Sequence, residues 1–170
     1  LEVAKRDRLL PDVYFNHPLV QGERDVPVYP LALYVDGIKF ARTDSVLGFF
    51  IYNMLTNVRH CVVALRNTEL CKCGCRCWCS LYCVLSMLRW SMASMAAGTF
   101  PTQRHNGTPF HDEDDATRTS ISGKRLGWKA VCLFVKGDWA EYAGTFGFPN
   151  WASREHPCML CHANSRNWFS

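Results

Sequence analysis

Five cysteines occupy alternate positions from Cys71 to Cys79, and this cluster constrains the possible fold more than any other sequence feature. In a disulfide framework the cysteines are spread along the chain so that each bond closes a loop. Cysteines this close in sequence are poorly placed to close such loops. Because no signal peptide opens the sequence either, metal binding by reduced thiolates is the better interpretation. In an extended segment, the alternation would point all five side chains to the same side.

A second cysteine pair lies near the end of the chain, where Cys158 and Cys161 form a CxxC motif followed directly by a histidine. Such a turn supplies two of the four ligands that a tetrahedral structural zinc site needs. We therefore predict one structural Zn²⁺ site with ligands from both segments: Cys71, Cys73, Cys75, Cys158, Cys161 and His162. The alternative is that all of these are reduced structural cysteines, which is the interpretation we favour for three within apolar segments: Cys61, Cys83 and Cys132.

Composition indicates one domain with a substantial core, since the chain has 170 residues and 48% of them are hydrophobic. The net charge of +4 permits binding to a polyanion without requiring it. The most apolar run, Leu47 to Leu55, is too short to cross a bilayer. We expect an intracellular protein without membrane association, and the nucleus is one such compartment. The oligomeric state stays open.

The order of apolar segments predicts an α/β fold. Residues 1–28 are polar with several prolines, so we expect an irregular N-terminal arm, and residues 29–170 form the core with cysteine-rich segments at 71–79 and 158–162. A helix should begin at the N-cap Ser80 and end at Gly98, and a polar loop with a solvated acidic run should follow. Four strands and a second helix complete the prediction: Tyr29–Val35, Gly48–Leu55, Arg59–Arg66, Gly127–Lys136 and helix Trp139–Phe146.

The predicted order is three strands with short links, a crossover helix, a fourth strand and a second helix. This order predicts a ribonuclease-H-like mixed sheet. In that fold one carboxylate lies on the first strand and another just after the fourth, and Asp36 and Asp138 occupy these places. Paired carboxylates can hold Mg²⁺ or Mn²⁺ for phosphodiester chemistry. The structural alternative is a turn at Asp36-Gly37 and an N-cap at Asp138.

A resemblance supports the same layout. The stretches YPLALYVDGIKF, GFFIYNML and LCKCGCRCWCSLY, with KGDWAEYAGTFGFPNWASREHPCMLCHA, look like an uncharacterised multicopy protein family of unicellular algae. More distantly, the layout resembles eukaryotic DNA transposases of the Plavaka and Kyakuja-Dileera-Zisupton kind. The resemblance implies metal-assisted cleavage or transfer of DNA by Asp36 and Asp138, with a CxxC insertion at Cys158 and Cys161. The chain departs from that pattern because it has no candidate for the third acidic residue, so the resemblance also predicts an inactive form.

Two other functions remain open at this stage. One is a non-catalytic, zinc-stabilised module that binds nucleic acid or protein. Its exposed cations would matter more than its acids, and the candidates are Arg42, Lys72, Arg76, Lys124 and Arg125. The other is a degenerate copy of a mobile element that has no present function.

Overall fold

The computed structural model describes residues 1–23, 25–149, 152, 153 and 155. It confirms an α/β protein with a four-stranded mixed sheet and a cysteine cluster. The strands are β1 (Val28–Lys39), β2 (Ser45–Asn53), β3 (Val58–Arg66) and β4 (Lys129–Lys136). The helices are α1 (Glu2–Arg6), α2 (Asp12–Phe15), α3 (Pro18–Gly22), α4 (Trp78–Ala97), α5 (Asp112–Ile121) and α6 (Trp139–Gly144), with a 3₁₀ turn at Asn67–Glu69.

The sheet has the spatial order β3-β2-β1-β4. The first three strands are antiparallel neighbours, whereas β4 pairs parallel to β1, with Tyr29 opposite Ala130 and Tyr34 opposite Lys136. A parallel pair needs a crossover connection, and α4 lies within the one that joins β3 to β4. The carboxyl ends of β1 and β4 therefore meet at one edge of the sheet.

The main core lies between α4 and one face of the sheet. The helix buries the apolar stripe that its spacing predicts, and Leu81 and Leu88 are 2% and 5% exposed. Gly98 ends the helix in the left-handed conformation at φ 72°, as expected. The sheet contributes the other buried members of this core: Leu33, Val35, Leu47 and Phe49.

The N-terminal segment differs from the irregular arm that its prolines suggest, because it contains three short helices. Pro18 opens α3 at a position where a helix needs no amide donor. Tyr14 is completely buried, and its hydroxyl donates a hydrogen bond to the Val28 carbonyl at 2.8 Å. With Leu10, Tyr14 packs against Val28 and Val131 in a second core cluster. This segment is therefore part of the packed domain.

The predicted turn at Asp36-Gly37 is wrong, because β1 continues through both residues to Lys39. Asp36 pairs with Gly48 and Gly37 with Leu47. The chain reverses instead over residues 40–44, where the Asp44 carboxylate accepts from the Ser45 amide at 2.9 Å and from Arg66. The side-chain contacts of Asp44 close the hairpin, and these contacts depend on β3 as well as on the local sequence.

The polar loop expected between Gly98 and Gly127 contains helix α5, and its acidic run is only partly solvated. Asp115 is 8% exposed and interrupts the helix with a non-helical φ of −126°. Its carboxylate pairs with Arg104 at 2.5 Å and with Arg118 at 3.1 Å. The hydrogen bond from Arg104, supported by the charges of both arginines, lowers the pKa of Asp115. Arg104 and Arg118, whose charges make the burial of Asp115 possible, lie on opposite sides of the acidic run in sequence.

Candidate metal centre

Four cysteine sulfurs converge between β3 and α4. The Sγ atoms of Cys71, Cys73, Cys75 and Cys79 all lie within 4.8 Å of one another, and those of Cys73 and Cys79 are 3.8 Å apart. A tetrahedral zinc ion with Zn–S bonds of about 2.3 Å places its sulfurs about 3.8 Å apart. Disulfide sulfurs lie only about 2.05 Å apart, and all eight described cysteines are free thiols. The spacing therefore suits four thiolates around one ion.

The chain builds this cluster by turning, so the expected extended segment is wrong. Gly74, Arg76 and Cys77 have positive φ values of 89°, 52° and 65°. These left-handed residues fold the loop back on the first turn of α4, which carries Cys79. The N-cap of α4 is Cys77 and not the predicted Ser80. The hydroxyl oxygen of Ser80 instead accepts a hydrogen bond from the Cys71 amide at 2.9 Å.

The structure selects four of the five alternating cysteines. Cys77 does not belong to the cluster and packs instead against the hydrophobic core between α4 and the sheet. Cys79, which the sequence-based site omitted, takes the fourth position. The available signal is Cys79 itself, the last of the five alternating cysteines, which lies in the first turn of the helix. Finding it would have required a helix start at Trp78 rather than after Ser80.

The electrostatics of the cluster favour a bound cation. The Cys79 amide donates to the Cys75 sulfur at 3.4 Å, and this contact, aided by the neighbouring thiols, lowers the pKa of Cys75 to about 6. Hydrogen bonds to Cys75 and Cys73 raise the pKa of Cys79 to about 12, and contact with Cys71 and Cys75 raises the pKa of Cys73. One thiolate therefore forms readily, whereas four adjacent thiolates require a positive ion to offset their repulsion.

The second predicted cysteine segment, with Cys158, Cys161 and His162, lies outside the described residues. Its contribution to zinc binding stays a prediction. Cys71, Cys73 and Cys75, which were expected to share an ion with it, instead have a fourth sulfur in Cys79. Four sulfurs fill a tetrahedral site, so the cluster needs no ligand from the end of the chain.

Asp36 and Asp138 lie at the same end of neighbouring strands, each two residues beyond the paired Tyr34 and Lys136. The Tyr34 hydroxyl donates to the Asp36 carboxylate at 3.0 Å. That hydrogen bond raises the pKa of Tyr34, and the negative charge of Asp138 adds to the effect. Both carboxylates therefore act on the same hydroxyl group. In the described part of the chain, no other ligand residue joins them in a group of three.

Asp138 also has the structural role that its position suggests. Its side chain caps α6 by accepting from the Glu141 amide at 2.8 Å. The Glu141 carboxylate lies against Gly37 of β1, where an added Cβ would be 2.4 Å from its Oε1 atom. The cap and this close contact hold α6 beside the end of β1. The cap hydrogen bond uses the Oδ1 oxygen of Asp138.

Comparison with known proteins finds no matching family model, no match among curated proteins and no match among solved structures. Within the described residues, no helix combines the length and the apolar character needed to cross a bilayer.

Proposed function

We propose that this protein is a zinc-stabilised α/β module in which Cys71, Cys73, Cys75 and Cys79 hold one Zn²⁺ ion. The observation that carries the proposal is the convergence of four free sulfurs within 4.8 Å. Four thiolates complete a tetrahedral shell and leave no position for water or substrate, which is the arrangement of a structural zinc site. The proposed role of the ion is therefore to stabilise the fold.

Zinc at this position would cross-link the crossover between β3 and β4. Three ligands lie in the loop after β3 and the fourth lies in the first turn of α4. The loop itself contributes little to the apolar core, since Lys72, Cys73 and Arg76 are exposed. Zinc binding would supply folding free energy that this segment lacks, because the four thiolates are brought together only in the folded chain.

Metal analysis of the purified protein tests the proposal. We expect about one zinc per chain, and a chelator should lower the melting temperature reversibly. The Cys158→Ser/Cys161→Ser double variant should retain this zinc, because the cluster is complete without that pair. A stable protein that takes up no zinc would contradict the proposal. Zinc lost from the double variant would assign the ion to the CxxC motif instead.

A second candidate function is metal-assisted phosphodiester chemistry on DNA, in a ribonuclease-H-like or transposase-like domain with Asp36 and Asp138 as ligands of Mg²⁺ or Mn²⁺. The specific observation in its favour is that Asp36 and Asp138 each lie two residues beyond the paired Tyr34 and Lys136, at the same end of the parallel strands. The parallel pairing of β1 and β4 supports this candidate, because it brings the two acids to one end of the sheet. Two carboxylates can bind a divalent ion, and a third would strengthen the site.

A Mn²⁺ titration, followed by the loss of the free-ion electron paramagnetic resonance signal, tests the second candidate separately. Asp36→Asn and Asp138→Asn should each weaken binding about tenfold or more, since each removes a charged ligand. Asparagine still caps a helix, so Asp138→Asn separates the metal role from the structural one. If Mn²⁺ does not bind to the wild-type protein, or binds to both variants as tightly as to wild type, the catalytic proposal fails and the zinc-stabilised module remains.

A further inference from the structure

A cavity of about 640 Å³ opens beyond the carboxyl end of β1. Its walls come from the β1–β2 hairpin, the cysteine loop and α6. Cavities of this size accommodate small ligands.

Three cations from two separate segments line this cavity. Lys39 and Arg42 come from the hairpin, and Arg76 comes from the cysteine loop. Among the described residues, none of the three forms an ion pair with an acid. The lining therefore offers three positive charges that the described part of the chain leaves unpaired.

The two acids of the lining are already engaged. Arg66 pairs with Asp44 at 2.6 Å. The Glu141 carboxylate accepts a hydrogen bond from the Thr145 hydroxyl at 2.5 Å. The hydrogen bond leaves the charge of Glu141 in place, so the lining has three cations against two acids, a net charge of +1, and the cations lie on two walls.

We propose that this cavity binds the phosphate group of a nucleotide or of a nucleic-acid strand. Arginine presents a planar fork of donors that matches phosphate oxygens, and Arg42 and Arg76 provide two such forks from different walls. Thr43, Ser45 and Asn67 add hydroxyl and amide groups to the lining. A nucleotide and a nucleic-acid strand present the same phosphate chemistry to these residues. The proposed binding does not depend on a metal ion at Asp36 or Asp138.

Arg76 connects this cavity to the cysteine cluster. It lies between the proposed zinc ligand Cys75 and the core residue Cys77, and its left-handed φ of 52° belongs to the turn that closes the cluster. A bound zinc ion would hold this turn and thereby fix the position of the Arg76 backbone. The charge of the cavity itself comes from the protein side chains alone.

Binding assays with three probes test the proposal: inorganic phosphate, ADP, and a fluorescein-labelled single-stranded DNA of ten nucleotides. The Arg42→Gln/Arg76→Gln variant removes two cations but keeps much of the length of both side chains. We expect its affinity for at least one probe to fall about tenfold or more, because hydrogen bonds to charged groups are the strong ones. Arg89→Gln is the control, since Arg89 is exposed on α4 outside this cavity; the affinity of this variant should stay within about twofold.

The three probes separate the possible sources of phosphate. Binding of ADP or inorganic phosphate would assign a free nucleotide or phosphate, whereas binding of DNA alone would assign a strand. No binding of any probe to folded wild-type protein at low salt would overturn the proposal. Equal losses in the double variant and the control would also overturn it, because they would indicate diffuse charge attraction. Zinc content measured on every sample keeps a failure of the metal site distinguishable from a failure of this cavity.

Discussion

Replacing Cys79 by serine tests the geometry of the metal centre most directly, because only the folded structure assigns this residue to the cluster. The substitution removes one of four sulfurs with little change in size. Loss of even an outer-shell partner weakens metal binding by 10- to 100-fold, so loss of a direct ligand should weaken zinc binding by about 100-fold or more. Binding stabilises by mass action, and at fixed free zinc this loss should lower the melting temperature by about 5 to 10 °C.

The assay combines a competitive zinc titration with thermal unfolding at buffered free zinc. Cys83→Ser is the matched control, since Cys83 is an exposed thiol one turn further along α4 and lies outside the cluster. Cys77→Ser should lower the melting temperature equally with and without zinc, because Cys77 packs against the core rather than in the cluster. The reasoning is refuted if Cys79→Ser binds zinc like wild type, or if Cys83→Ser loses zinc to the same extent.

Three further predictions follow from individual contacts. Asp138→Ala should cost about 1 kcal/mol in urea unfolding by removing the cap of α6, whereas Asp138→Asn should cost much less. Arg104 and Arg118 hold the pKa of Asp115 below its ordinary value. Their pairing with Asp115 therefore stabilises the folded protein fully at pH values above the unfolded-state pKa of about 4. This stabilisation is lost as the pH falls through the lower pKa of the folded state. Asp115→Asn should therefore make the free energy of unfolding depend less on pH in this acidic range. Glu113→Gln, at an exposed site, should leave that dependence unchanged. Equal acid-unfolding curves for wild type and Asp115→Asn would contradict the pairing. Tyr14→Phe should cost about 1 to 2 kcal/mol by leaving a buried carbonyl without its donor, and Tyr82→Phe, an exposed change, should be neutral in the same urea titration.

The four strands and α4 were predictable because they depend on local periodicity, whereas the three N-terminal helices and α5 were not predicted. The apolar runs of the four strands and the three- and four-residue spacing along α4 are sequence properties, and the structure contains each of these elements. Their ends were less predictable. The first strand runs past Asp36-Gly37, a common turn dipeptide, because Gly48 and Leu47 of the neighbouring strand provide partners for both residues.

The burial of Asp115 shows a similar dependence on distant residues. Taken locally, a run of four acidic residues predicts a solvated surface. Arg104 and Arg118 lie several residues away on either side, and their charges make the burial of one carboxylate possible. No pattern within the run itself distinguishes Asp115 from its neighbours.

For the metal centre, the sequence by itself predicted that cysteines between the third strand and the long helix bind zinc, in a site shared with Cys158 and Cys161. Only the tertiary structure decided which sulfurs belong to it. The left-handed turns at Gly74, Arg76 and Cys77 reverse the chain, so the helix start brings Cys79 to the cluster and directs Cys77 to the core. The physical reason is that spacing defines directions only within one regular element, whereas a site between a loop and a helix depends on how the two pack together.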